Sequence, residues 1–103
     1  MLRGLLLLAI LLWMVPATAR SLSSGECMSY ALWSHDIIWA RDVGADKAKV
    51  KASLVDAPGA IMRLVLLRFD SLWSADQPKL VVAEAVYREC MSRGGNYSDV
   101  VGS

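Results

Sequence analysis

The sequence predicts an all-α protein, a compact bundle of about four helices with one disulfide joining the first and last of them. Three observations carry that expectation. Apolar residues recur at helical spacing, and no alternation is long enough for a strand. Breakers at Gly44, at Pro58-Gly59, at Ser74 to Pro78 and at Gly94-Gly95 cut the chain into helix-length pieces. The only two cysteines, Cys27 and Cys90, stand at the head of the first piece and near the end of the last.

The chain opens with Met1-Leu2-Arg3-Gly4, runs uncharged from Leu5 to Val15, and continues Pro16-Ala17-Thr18-Ala19. A positive start, a short apolar run and a small-x-small end are the three parts of a secretory signal peptide. Cleavage is expected after Ala19, leaving Arg20 as the new N-terminus. The competing reading is an uncleaved anchor, but the apolar run covers only about half of a bilayer core that needs about 20 residues. A lipoprotein is disfavoured by Glu26 immediately before Cys27. The best later apolar stretch is interrupted by Arg63, Arg68 and Asp70, so no stable membrane span is expected after cleavage. The domains expected are a signal peptide at 1–19, a helical domain at 20–93 and a flexible tail at 94–103.

Eleven basic and ten acidic residues leave a net charge of +1, and Arg3 departs with the signal. A neutral domain of this size has no global attraction to nucleic acid or to an anionic membrane. It also buries a modest fraction of its surface and needs a staple. Two cysteines in an exported chain predict one disulfide, with two free buried thiols as the alternative. Without Cys-x-x-Cys, and with His35 as the single histidine, the usual zinc spacings are missing.

The first predicted helix runs from Glu26 to about Val43. Ser23 and Glu26 have the spacing of a capping box, and Gly44 suits the left-handed position that ends a helix. The second runs from about Asp46 to Leu54, with Asp46 favouring its N-terminus by the helix dipole. Val50 and Leu54 face inward, and Lys47 and Lys51 share a solvated face. Asp56 is a candidate N-cap for a third helix from Pro58 to Trp73, with Ile61, Leu64, Val65, Phe69 and Leu72 inward and Arg63 and Asp70 in water. The fourth starts at Pro78 and runs to about Met91, with Val82, Ala83, Val86, Tyr87 and Cys90 on one side. Tyr97 to Ser103 reads as a frayed end.

The first helix carries more apolar residues than one face needs. One sector collects Cys27, Met28, Ala31, Leu32, Ile38, Trp39 and Val43, and is the expected core face. A second holds Tyr30, Trp33 and Ile37. Both sectors are buried if the helix is central. If they are not, Tyr30, Trp33 and Ile37 form an exposed anchor at the spacing used by helix-in-groove and dimer contacts. Burial is the commoner fate of a large aromatic.

Catalytic patterns are weak. Ser34, His35 and Asp36 are sequence neighbours on a helix and cannot converge as a triad. His35 reads as a helix residue paired with Asp42. Glu84 and Glu89 lie on different faces. No phosphate-binding glycine loop and no metalloprotease motif is present. Lys47, Lys49 and Lys51 read as a solvated face, Arg41 as a cation against the terminal carbonyls of the first helix, and Asn96-Tyr97-Ser98 as a bare glycosylation match. No cofactor, metal or catalytic residue is expected.

Cys27, Arg41-Asp42-Val43-Gly44, Val86-Tyr87 and Cys90 together form a layout that resembles small uncharacterised exported helical proteins of Gram-negative bacteria. That resemblance implies an exported helical fold and carries no activity. In outline the chain is also similar to periplasmic acid-stress chaperones of the HdeA type, whose cysteines are closer together. It is similar as well to periplasmic immunity proteins against type VI secretion effectors, which usually have more cysteines. The reading that follows is a non-enzymatic protein in the periplasm or outside the cell, binding a protein partner or itself. The alternative is a stress chaperone that exposes apolar helix faces on partial unfolding. N-terminal sequencing or intact mass of the exported protein should place its first residue at Arg20; a first residue at Met1 would overturn the export reading.

Overall fold

A computed structural model describes residues 21–57 and 59–101. The expected signal peptide at 1–19 with its cleavage point at Ala19 and Arg20, Pro58, and residues 102–103 of the expected tail lie outside the described residues. The described chain is all helical: α1 (Ser24–Asp42), α2 (Lys47–Val55), α3 (Ala60–Leu67), α4 (Phe69–Trp73), α5 (Lys79–Ser92) and α6 (Ser98–Val101).

The expected capping box starts α1. The Glu26 N–H donates to Ser23 Oγ and the Ser23 N–H donates to Glu26 Oε1, both at 3.1 Å, satisfying two amides that the helix itself leaves without partners. Gly44, at φ +84°, follows its last turn. Asp46 caps α2 by accepting from the Lys49 N–H at 3.1 Å. Asp56 does not start a third helix. It ends α2, and Gly59 stands at the N-cap of α3 with no side-chain hydrogen bond.

The third predicted helix is two helices. The backbone breaks at Arg68 (φ −103°, ψ 7°), which ends α3 and starts α4. The inward residues are largely those expected: Leu64, Val65, Phe69 and Leu72 are buried, joined by Met62, while Arg63 and Asp70 are exposed. The break places the Arg68 guanidinium beside α5, where Nη2 lies 2.9 Å from Glu89 Oε1.

The core of α1 is narrower and differently centred than its sequence suggests. Its buried residues are Cys27, Tyr30, Ala31, Ser34, Ile37 and Ile38. These recur at i, i+3, i+4, i+7, i+10 and i+11, one stripe on a helix. Ser34 sits fully buried at its middle and is satisfied because its hydroxyl donates to the Tyr30 carbonyl at 2.9 Å. Met28, Leu32, Trp39 and Val43, expected inside, are exposed. α1 packs mainly on α5 and next on α3 and α4. The Cys27–Cys90 disulfide joins α1 to α5, with their Cα atoms 5.6 Å apart.

Arg41 also departs from expectation. Its Nη1 donates to the carbonyls of Trp73, the last residue of α4, and of Ala75 just after it, and not to those of its own helix. Asp42 pairs with Arg41 at 2.9 Å, so His35 takes Asp36 at 3.2 Å in its place.

From Gly94 to Val101 the chain is folded rather than frayed. The Leu22 N–H donates to the Gly95 carbonyl at 2.9 Å, tying the run-in to this turn. Gly95, at φ +74°, admits that approach because a Cβ there would come 2.0 Å from the Leu22 carbonyl oxygen. Tyr97 then inserts into the core.

The disulfide closes a separation of 63 residues, and closing such a loop stabilises by about 4 kcal/mol in the chain-entropy model. The Cys27→Ala/Cys90→Ala variant should lose about that much in urea unfolding; a loss under about 1 kcal/mol would show that helix packing alone holds the domain.

Candidate functional site

Three places on the described chain concentrate chemistry or exposed apolar surface, and each is built by different elements. The first is the end of the bundle where α1, α5 and the C-terminal turn meet. Tyr30 of α1 packs edge-on against Tyr97, ring centroids 5.7 Å apart. The guanidinium groups of Arg68 and Arg93 lie 5.4 and 4.7 Å from the Tyr97 ring centre, a favourable placement of cation on aromatic face. Glu89 is shared by both arginines, at 2.9 and 3.2 Å, and Arg93 also reaches Asp99 at 2.9 Å. Burial pushes the Tyr30 phenol up to about 12, against the pull of the Arg68 guanidinium. Burial likewise raises Tyr97. The charges here are mutually paired and the rings are packed. The arrangement fastens the C-terminal turn to the core.

The second place is a surface depression of about 510 Å³ beside α2, lined by Asp46, Lys47, Ala48, Lys51 and Asp70. Lys47 and Lys51 approach Asp70 at 3.2 and 3.8 Å. The Lys47 ammonium holds the Asp70 carboxyl below the usual carboxylate range. These lysines form the solvated face expected of them, with their charge turned to Asp70.

The third place is apolar. An open groove of about 370 Å³ runs between α1 and α5, lined by Met28, Ala31 and Leu32 on one side and Leu80, Ala83 and Tyr87 on the other, with Glu84 at its lip. Leu80 is 71% exposed and Leu32 56%. Glu84 is turned to Arg88 one helical turn along, which leaves the apolar lining as the floor of the groove.

The expected partner surface of Tyr30, Trp33 and Ile37 is corrected by these positions. Tyr30 is fully buried and Ile37 is 2% exposed; Trp33, at 39%, is the one that reaches water. Tyr30 and Ile37 belong to the core stripe, and Trp33 lies beside it. The surface that is free is made by Met28 and Leu32, which the helix wheel placed inside, and by Leu80, which sequence reasoning missed. Its signal was available: Leu80, Tyr87 and Met91 recur at i, i+7 and i+11 along α5, outside the stripe of Val86 and Cys90.

Among the described residues, no group of three or more His, Cys, Asp or Glu side chains is placed to hold a metal ion, and no helix is long and apolar enough to cross a membrane. Comparison of the chain with protein-family models, with curated proteins and with solved structures gives no match.

The Tyr30 shift has a signed consequence. Its folded value lies above its ordinary value of 10.0, so it favours the folded state fully below pH 10 and loses that contribution as pH climbs toward 12. Urea unfolding across that window should show stability falling, and Tyr30→Phe should flatten the fall. An unchanged pH profile in the variant would place the titration elsewhere.

Proposed function

We propose that this chain is an exported, non-enzymatic interaction domain that uses the α1/α5 groove to dock an apolar protein surface. The observation that carries the reading is the groove itself. Its floor is almost wholly apolar, and Leu32 and Leu80 stand exposed along it. Exposed apolar residues scattered singly need no explanation, but a contiguous set lining a groove between two helices is the form of an interaction site.

Export is supported by the signal-like start of the sequence and by the Cys27–Cys90 bond, since disulfides persist in oxidising compartments. A periplasmic or extracellular location, and the resemblance to exported helical proteins of Gram-negative bacteria, fit both. The non-enzymatic reading rests on what the polar groups do. The charges of Arg68, Glu89 and Arg93 are spent on one another at the fastened end, and His35, half-buried on the side of α1 that carries Met28 and Trp39, is engaged with Asp36.

The chaperone alternative asks for buried carboxylates whose protonation frees the helices. Eight of the ten acidic residues are exposed, Asp70 and Asp99 among them, and only Glu26 and Glu89 are half-buried. The groove therefore supports a partner-binding reading better than an acid-triggered one.

A photo-reactive amino acid placed at position 80 should give cross-linked adducts in the exported fraction of the expressing cells. The same group at Ser53, on the exposed side of α2, is the control and should give none. Equal labelling at both positions, or none at 80, would sink the docking site.

A further inference from the structure

We infer that the occupant of the α1/α5 groove is a second copy of this chain, and that the pair completes a four-helix bundle across a two-fold axis. This rests on the groove being the docking site.

The first argument is area. Met28, Leu32, Trp39, Leu80 and Met91 are each between 45% and 71% exposed. Met28, Leu32 and Trp39 recur at i, i+4 and i+11 on α1, and Leu80 and Met91 at i and i+11 on α5, so each set keeps to one side of its helix. These five side chains leave on the order of 500 Å² in water. With Ala83, Glu84 and Tyr87 added, the face approaches the ~800 Å² per partner of a stable interface. A single peptide helix laid in the groove would leave Trp39 and Met91 beyond its edges; a second two-helix face reaches all five.

The second argument is self-complementarity. A two-fold interface requires one patch to fit itself. Here the knobs and the hole lie on the same face: the groove holds about 370 Å³, and Leu32 and Leu80 stand at its two walls to fill the partner's. With the two-fold axis across the helices, the methionines near one end, Met28 and Met91, meet the partner's Trp39 from the other, a compatible contact because a thioether packs well on an aromatic ring.

The third argument is topology. Cys27, at the start of α1, is bonded to Cys90, near the end of α5, so the two helices run antiparallel. Two such pairs can meet face to face about a two-fold axis lying along the helices or across them. In either arrangement every helix is antiparallel to its neighbours, the favourable alignment of helix dipoles. Charge does not oppose it, because the whole chain carries only +1, and Glu84 on the face already has Arg88.

The test is light scattering coupled to size exclusion on the disulfide-intact protein purified as the cells process it. The wild type should give twice the chain mass. Leu80→Glu and, separately, Leu32→Glu should give the chain mass. Each would place a carboxylate at two symmetry-related sites and weaken the pair by roughly 100-fold or more. Both positions are exposed in the single chain, so circular dichroism should keep the wild-type helical signal and the melting temperature should match that of wild type diluted to monomer, separating lost association from lost fold. A wild-type monomer at all concentrations, or a dimer that survives both substitutions, overturns the second copy as occupant. Adduct mass at position 80 separates this failure from that of the docking site. Twice the chain mass supports the pair, and any other adduct mass overturns it while leaving the groove a docking site. No adduct overturns both.

Discussion

Everything in this fold hangs on the packing of α1 against α5 and the bond that locks it. The buried stripe of α1, from Cys27 to Ile38, is the surface on which the other helices assemble. α5 approaches with Val86 and Cys90 inward. The Cys27–Cys90 bond removes open conformations from the unfolded chain, and a domain this small has little other stability to draw on. Ser34 at the middle of the stripe lets the helices come close without leaving a polar group unpaired, because its hydroxyl returns to its own helix.

Three arginines extend that frame to the connecting segments. Arg41 holds carbonyls at the end of α4 and just after it, Arg68 bridges the α3–α4 break to Glu89, and Arg93 reaches Asp99 in the C-terminal turn. Arg68 and Arg93 also cover the Tyr97 ring, so the chain end is held by aromatic packing and charge together. The Arg68–Glu89 and Arg93–Glu89 pairs are half-buried and screened less than surface ones, whereas Asp99 is exposed and its pair with Arg93 adds little.

The same small size explains the free apolar face. Helices α2, α3 and α4 and the C-terminal turn are enough to cover one side of the α1/α5 pair. Nothing in the described chain covers the other side, and Met28, Leu32 and Leu80 remain in water there. A core built from one layer on a two-helix pair leaves a second layer unfilled, and the association proposed above would supply it.

Much was legible from residue order alone. The all-α class, the cysteine pairing, the capping box at Ser23 and Glu26, and the inward faces of α3 and α5 follow from local rules: helical spacing, capping chemistry and the scarcity of cysteine. What the tertiary structure decided was which of two apolar sectors of α1 is inside. Tyr30 and Ile37 are core, while Leu32 and Trp39 are surface, because the winning stripe is centred on small Ser34, which hydropathy discounts. It also decided the break at Arg68, the destination of Arg41 and the anchoring of Tyr97. Each depends on a partner 20 or more residues away, such as Glu89 for Arg68 or Trp73 for Arg41. Local sequence specifies the donors and the rings; only the folded chain brings their partners within reach.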